Sequence, residues 1–132
     1  MREYSSGGIL LPWSIGFCAE FLADFEGLHE KVQDELLGQL RLLESCGPAL
    51  GRPRVDTLNG SRHPNMKELR FEAMNGVWRV AFAFDPKRRA VILVAGDKAG
   101  VSQKRFYRNL IRRADERFDR YLSGGEEHVQ NT

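Results

Sequence analysis

The apolar residues between positions 17 and 47 recur every three or four residues, which predicts two helices joined as a hairpin. The first helix is short and lies around Phe21 and Phe25. The second is an amphipathic helix over residues 30–46, and Gly47-Pro48 follows it as a stop signal. The apolar stripe of this second helix consists of Val32, Leu36, Leu40 and Leu43.

A third helix is predicted over residues 102–123. Ser102 is a suitable N-cap, and Gly124 and Gly125 end the helix. Its apolar stripe repeats every four residues and consists of Phe106, Leu110, Ala114, Phe118 and Leu122. Another face of the same helix carries the basic residues Arg105, Arg108 and Arg112.

Alternation of apolar with polar or small residues predicts four strands. These strands are residues 12–17, 66–72, 77–85 and 90–95. Short turn sequences link the last three strands, so we expect an antiparallel meander. Residues 47–65 are rich in Gly, Pro and Arg and are predicted to be a loop, with a short strand or turn around 55–58. The resulting order, β-α-α-β-β-β-α, belongs to the α+β class.

The composition is typical of one globular domain, with 132 residues of which 42% are hydrophobic and 29% charged. We assign this domain to residues 12–123, with 1–11 as a disordered extension and 124–132 as a frayed tail. No apolar run is long enough to span a bilayer, and the first residues lack a signal peptide's apolar region, so a cytoplasmic location is expected. Cys18 and Cys46 are expected to be reduced core thiols.

Charge is unevenly distributed along the chain. Residues 1–51 hold three basic and eight acidic residues, whereas residues 52–113 hold fifteen basic and five acidic residues. The net charge of the middle block is therefore +10, against −5 before it and −3 after it. Such a field attracts phosphates or an acidic protein, although many charged segments serve only to keep a surface solvated.

Two arginines stand in the middle of adjacent predicted strands, where β-branched and aromatic residues are usual. If residues 73–76 form the loop, Arg70 lies directly opposite Arg79; if only residues 75–76 turn, Arg79 faces Glu72. Both registers place the two arginines on one sheet face. We expect helices to cover the opposite face, which carries Trp78, Phe82 and Phe84, and the arginine face to remain open and able to hold an anion.

The stretches NMKELRFE, GVWRVAFAFD, AVILVAGDKAG and SQKRFYRNLI follow a predicted strand and helical hairpin that begin at WSIGF. In this succession, over residues 13–122, the chain resembles the RelE/ParE/HigB superfamily of type II toxin–antitoxin toxins, within its phage-derived, HigB-like branch. The resemblance implies a microbial RNase-like fold, which is an antiparallel-rich, four-stranded sheet with helices packed on one face.

For the HigB-like branch the resemblance further implies an endoribonuclease that cleaves messenger RNA, commonly at the ribosomal A site, and so inhibits translation. The 2′-hydroxyl attacks the adjacent phosphate, which needs neither a metal nor a cofactor. The implied partners are messenger RNA, the ribosome and a cognate antitoxin, expected to be a helix-turn-helix protein. A dimer of toxin–antitoxin heterodimers is one assembly that this leaves open.

The motifs ELR and WRV assign Arg70 and Arg79 to phosphate and transition-state contacts, because guanidinium groups stabilise charge on phosphate oxygens. The resemblance implies two lysines as further candidate catalytic residues, although either could instead be a surface residue that aids solubility. Lys67, one strand face away but near the start of its strand, is expected to reach the edge of the cleft, and Lys98 lies just beyond the last strand, where family members often carry basic residues. Tyr107 is expected to stack on a base or assist proton transfer, or else to belong to the core. The residues expected to bind RNA are Arg62, Lys104, Arg105 and Arg108.

Other functions stay open at this point. The ParE-like branch shares the fold but inhibits DNA gyrase without cleaving RNA, and a non-toxic nucleic-acid-binding module would carry the same basic surface. His63 is the one histidine in the basic segment and titrates near neutral pH, but its place beside Pro64 is also typical of an ordinary loop. No metal-binding spacing and no histidine cluster is present, so the general acid and base are unassigned.

Overall fold

A computed structural model describes residues 4–5, 8–9, 13–124 and 130–131 of the chain. These residues form three helices, eight strands and one turn of 3₁₀ helix. In chain order they are β1 (Tyr4–Ser5), β2 (Gly8–Ile9), β3 (Ser14–Phe17), α1 (Ala19–Glu26), α2 (Glu30–Cys46), the 3₁₀ turn (Gly47–Ala49), β4 (Val55–Thr57), β5 (Met66–Ala73), β6 (Gly76–Phe84), β7 (Arg89–Asp97), α3 (Gln103–Gly124) and β8 (Gln130–Asn131).

The main sheet has the strand order β4-β5-β6-β7-β3-β8, and β1 and β2 form a separate two-stranded sheet. All neighbours in the main sheet are antiparallel except β3 and β7. The predicted meander of β5, β6 and β7 is confirmed. The expected number of four strands is too low, because β4 and β8 add short strands at the two edges. The strand β4 lies where a short strand or turn was predicted around residues 55–58, whereas β8, with two residues, is too short for alternation to identify.

The helices α1 and α2 cover the sheet face that carries Phe82 and Phe84, as predicted. The whole predicted stripe of α2 is buried. Trp13 packs its ring edge against Phe84, with 4.8 Å between centroids, and also lies against the end of α2. Gly47 permits that contact: its φ is +55°, and a Cβ at this position would lie 2.3 Å from Trp13 Cδ1.

The helix α3 lies on the opposite face, so the prediction that this face stays open is wrong for much of its length. Val80, Ala81, Phe82 and Ala83 of β6 all have 0% exposure, which requires cover on both sides of the sheet. The small side chains of Ala81 and Ala83, together with Gly96 on β7, give α3 room to approach. A Cβ at Gly96 would lie 3.0 Å from the ring of Phe106.

The predicted apolar stripe of α3 is confirmed as far as Phe118 and wrong at Leu122, which is 51% exposed. Tyr121 is buried in its place. A repeat of four residues moves about 40° around a helix of 3.6 residues per turn at each step, so its last member leaves the buried face.

Ion pairs join α3 to α1. Arg117 donates to Asp24 at 2.8 Å and to the backbone oxygen of Leu93 at 2.7 Å, and Arg120 donates to Glu20 at 2.7 Å. Residues 103–113 of α3 contain five basic residues and no acidic one, whereas residues 114–124 contain two basic and three acidic residues, so the N-terminal half of the helix is the positively charged one.

The remaining expectations about the chain have mixed outcomes. Cys18 is a buried free thiol as predicted, but Cys46 is exposed, because it ends α2 on the side facing solvent. The proposed extension 1–11 and tail 124–132 lie largely outside the described residues. No helix among the described residues is long and apolar enough to cross a membrane.

Candidate functional site

The hairpin of β5 and β6 places the two arginines opposite each other. Ala73 pairs with Gly76, and the register carries Arg70 onto Arg79. The turn is the two residues Met74 and Asn75, with φ values of +53° and +64°. Positive φ at both central positions is the geometry of a type I′ turn, whose twist matches that of the flanking strands. Of the two registers considered from the sequence, the first is the one observed.

Both guanidinium groups project to the α3 side of the sheet and meet at the hydroxyl of Tyr107. Arg79 Nε donates to Tyr107 Oη at 2.9 Å, and Arg70 Nη2 donates to it at 3.2 Å. The guanidinium of Arg79 also lies 5.6 Å from the ring centre of Phe106. The Arg70 side chain is 48% exposed, whereas Arg79 is half-buried. The prediction of a shared face is confirmed, and Tyr107 joins the pair.

Glu68 completes this cluster, and the sequence analysis missed it. The residue is only 4% exposed, pairs with Arg70 Nε, and accepts a hydrogen bond from Tyr107 Oη at 2.8 Å. Alternation along β5 puts residues 68 and 70 on one face, so the sequence held the necessary information. The residue was missed because a carboxylate was not expected where an anion should bind. We call Glu68, Arg70, Arg79 and Tyr107 the hairpin cluster.

The cluster modifies the titration of two of its members. Burial, and next the hydrogen bond to Glu68, raise the pKa of Tyr107 above its ordinary value. The hydrogen bond to Glu68 also raises the pKa of Arg70. The phenol is therefore protonated at neutral pH and the guanidinium is permanently charged.

The cluster retains capacity to bind an anion. Two guanidinium groups and one carboxylate give the cluster a formal net charge of +1. Within the described residues, Nη1 of Arg70 and Nη2 of Arg79 have no hydrogen-bond partner. The N–H groups of a guanidinium form a planar fork that matches the spacing of phosphate oxygens.

The first turns of α3 add further positive charge beside the cluster. Ser102 caps the helix as predicted, because its Oγ accepts from the backbone N–H of Arg105 at 3.2 Å. The positive end of the helix dipole lies at this end. Three predicted RNA-binding residues lie on these turns with exposed side chains, namely Lys104, Arg105 and Arg108.

The two lysines expected at the site, Lys67 and Lys98, lie in different places relative to the hairpin cluster. Lys67 is directly opposite Phe82, on the sheet face away from the cluster, and its Nζ donates to Thr57 Oγ1 at 3.0 Å. The strand face is the one expected for Lys67, but the hydrogen bond to Thr57 holds its side chain on that face, so the structure does not bring it to the edge of the cleft. Lys98 follows β7, whose last residue, Asp97, pairs with Trp78 on the hairpin. Its role stays a prediction.

Arg62 and His63 belong to a separate cluster that attaches the loop before β5 to α3. Arg62 pairs with Asp119 and Asp115, and His63 Nε2 lies 2.8 Å from Asp119 Oδ1. The His63 ring also packs edge-on against Phe118. Since Phe118 follows Tyr107 by eleven residues, about 17 Å of helix separates this loop from the hairpin cluster. The structure does not bring either residue to the site.

The described residues contain no group of three or more His, Cys, Asp or Glu residues that could hold a metal ion. What the hairpin cluster offers is anion binding by two guanidinium groups and proton movement between a phenol and a carboxylate.

Comparison with known proteins gives a consistent result. A family model described as "Phage derived protein Gp49-like" matches residues 23–119. A Mycobacterium tuberculosis protein named "Putative toxin HigB2" is 42% identical over 122 residues, which are 89% of this chain and 60% of that protein. A second protein of that organism, "Putative toxin HigB3", is 46% identical over 99 residues, which are 75% of this chain and 84% of that protein.

One solved structure extends the comparison to the fold. The structure of a mutant of the E. coli toxin RelE in the free state has a TM-score of 0.53 and 10% sequence identity, and covers 77% of this chain and 96% of that one. At this identity the likeness concerns the fold alone, and it confirms the predicted class. The kinship with HigB-like proteins expected from the sequence is also confirmed.

Proposed function

Because the chain belongs to the family of phage-derived, Gp49-like proteins, we propose that it is the toxin of a type II toxin–antitoxin system. Its proposed activity is that of a ribosome-dependent endoribonuclease, which cleaves messenger RNA and is neutralised by a cognate antitoxin. The two mycobacterial relatives are named as toxins, and the chain spans 60% of the length of the first of them.

One observation carries the nuclease proposal. Arg70 and Arg79 are cross-strand partners whose guanidinium groups meet at one tyrosine hydroxyl. Two like charges directly opposite each other destabilise a strand pair. Glu68 compensates the arrangement here, and Nη1 of Arg70 and Nη2 of Arg79 keep N–H groups without a partner among the described residues, which a phosphate could accept.

In the proposed reaction, the 2′-oxygen of a ribose attacks the adjacent phosphorus atom. The bond to the 5′-oxygen of the next nucleotide breaks, leaving a 2′,3′-cyclic phosphate and a 5′-hydroxyl. Negative charge accumulates on the phosphate oxygens in the transition state. Arg70 and Arg79 stabilise that charge through donors already fixed in place, and loss of one such donor typically costs about 10²–10³ in rate.

The exposed basic residues beside the cluster provide the surface along which the RNA strand binds. Lys104, Arg105 and Arg108 lie on the turns of α3 that flank Tyr107, and they contact the phosphates on either side of the scissile bond. Lys98 lies near the hairpin and serves the same purpose. Because these contacts are electrostatic, they orient the strand without selecting its sequence.

The same positive surface is the proposed binding site of the antitoxin. An acidic segment of an antitoxin, expected to be a helix-turn-helix protein, competes with RNA for these cations. Neutralisation by charge at this surface requires no change in the toxin fold. The proposed location of the chain, together with messenger RNA, the ribosome and the antitoxin, is the cytoplasm.

The test is brief expression of the chain in bacteria, followed by mapping of messenger RNA 5′ ends. New 5′ ends within translated regions are expected for the wild type and not for Arg70→Ala or Arg79→Ala. Arg41→Ala is the matched control, because Arg41 is exposed on α2, which packs on the other face of the sheet. Growth arrest with DNA damage and no new 5′ ends would contradict the proposal and favour gyrase inhibition.

A further inference from the structure

Glu68 holds an unusual place among the carboxylates of the chain. Only 5% of its side chain is exposed, yet it lies within the proposed active site. Two residues bind it there, Arg70 through Nε and Tyr107 through its hydroxyl, the latter at 2.8 Å. A buried carboxylate of this kind is out of reach of a polynucleotide, whereas the half-buried Tyr107 is not.

We propose that Glu68 is the terminal proton acceptor of the cleavage reaction and acts through the hydroxyl of Tyr107. This inference rests on the proposed nuclease function. It assigns the base that the sequence left unassigned, and it makes Tyr107 the group that contacts the ribose.

The proton movement balances as follows. As the 2′-oxygen bonds to phosphorus, its proton passes to Tyr107 Oη, and the phenolic proton passes to Glu68 Oε2 in the same step. The leaving 5′-oxygen takes a proton from a water molecule, and the hydroxide ion formed is neutralised by the proton that Glu68 later returns to solvent. Glu68 then returns its proton to solvent through the same hydroxyl once the product has left.

The hydrogen-bond directions around Tyr107 support this relay. Oη accepts from two guanidinium groups and donates to Glu68. Positive donors stabilise negative charge developing on the phenolic oxygen, while the carboxylate receives the proton. A raised pKa keeps Tyr107 protonated at neutral pH, so the phenol acts as a base only when its own proton can leave in the same step.

The charged and titratable groups that face Glu68 come from four elements, β5, α3, β6 and β4. They are Arg70 on its own strand, Tyr107 on α3 with Arg79 behind it, and Asp56, its cross-strand partner on β4. Asp56 is exposed and pairs with Arg52 at 3.6 Å. It supplies a matched control, because Asp56→Asn removes a carboxylate next to Glu68 without touching the hydroxyl of Tyr107.

The experiment measures single-turnover cleavage of ribosome-bound messenger RNA by the full chain, from about pH 4 to about pH 10. Glu68→Gln keeps the size of the side chain and an acceptor for Tyr107, but it cannot accept the proton. We expect Glu68→Gln and Tyr107→Phe each to lower the rate by about 100-fold or more, and the double variant to be no slower. We expect the wild-type rate to rise with pH, and this rise should disappear in Glu68→Gln and persist in Asp56→Asn.

The possible failures are distinguishable. A wild type that cleaves no RNA would overturn both the nuclease function and the relay. Cleavage by Glu68→Gln within a few-fold of wild type, with the same pH profile, would overturn the relay alone. If Glu68→Gln does not fold, as judged by its melting transition, Tyr107→Phe decides: cleavage at the wild-type rate with an unchanged profile would overturn the relay.

Discussion

Replacement of Gly47 by alanine should strongly destabilise the fold, because this glycine lets Trp13 close the core at the end of α2. Its backbone has φ +55° and ψ −139°, a conformation that side chains with a Cβ rarely adopt. The added Cβ would also lie 2.3 Å from Trp13 Cδ1 and 2.5 Å from Nε1. Both penalties apply in the same variant.

The magnitude follows from these two terms. Unfavourable backbone geometry costs about 1–3 kcal/mol, and forcing a methyl group into a packed site costs about 1–3 kcal/mol. We therefore expect Gly47→Ala to lower the free energy of unfolding by about 2–6 kcal/mol, a large part of the ~5–15 kcal/mol typical of a domain.

Gly38→Ala is the matched control. Gly38 lies within α2, and a Cβ there would meet nothing within 4 Å. Alanine in a helix interior is favoured over glycine by about 0.5–1 kcal/mol, so this variant should be slightly more stable than wild type.

Urea unfolding followed by tryptophan fluorescence measures both changes in one assay. A midpoint for Gly47→Ala close to that of wild type would refute the reasoning. So would a loss of stability in Gly38→Ala equal to that in Gly47→Ala, because the contact with Trp13 would then explain nothing.

Two further predictions concern α3. Because the pKa of Tyr107 is raised on folding, its protonated form contributes stability that is complete below about pH 10 and is lost as the pH rises through the folded pKa. The free energy of unfolding, measured in urea at increasing alkaline pH, should therefore fall less in Tyr107→Phe than in wild type. An equal fall in both proteins would contradict the raised pKa of Tyr107. Tyr121→Ala should cost about 3–5 kcal/mol, because Tyr121 is 4% exposed and donates to Asp85 at 2.8 Å. Leu122→Ala should stay within about 0.5 kcal/mol of wild type. Thermal melts in which the two variants lose the same stability would contradict the burial of Tyr121 in place of Leu122.

The sequence was sufficient for the three helices, for the strands β3, β5, β6 and β7, and for the arginine pair. Strand alternation has a period of two, so it placed Arg70 and Arg79 on one face in either register. The choice between registers depended on the turn. Met74 was not expected to take a positive φ, which is uncommon for a residue other than glycine or asparagine.

What covers a sheet face is harder to derive from a single sequence. The sheet face that carries the arginines was expected to remain open, but its small residues Ala81 and Ala83 permit a helix to pack closely. The structure has the second arrangement, with Phe106 of α3 against Gly96. This difference explains why Tyr107 contacts the arginines.

The composition of the site was only partly predictable for the same reason. Lys67 and Glu68 are adjacent in sequence, and the pleat sends them to opposite faces. The basic residue was selected because phosphate binding was expected, whereas the acidic one is the residue that joins the cluster. Hydrogen bonds between distant elements, such as that from Tyr107 to Glu68, leave no pattern in the local sequence.

The most direct test of the account is cleavage of messenger RNA on translating ribosomes by the purified chain. Wild type and Arg41→Ala should produce new 5′ ends at equal rates. The double variant Arg70→Ala/Arg79→Ala should cut at least about 100-fold more slowly while keeping a cooperative melting transition. Cleavage by a folded double variant at the wild-type rate would contradict the claim that these two guanidinium groups act on the phosphate.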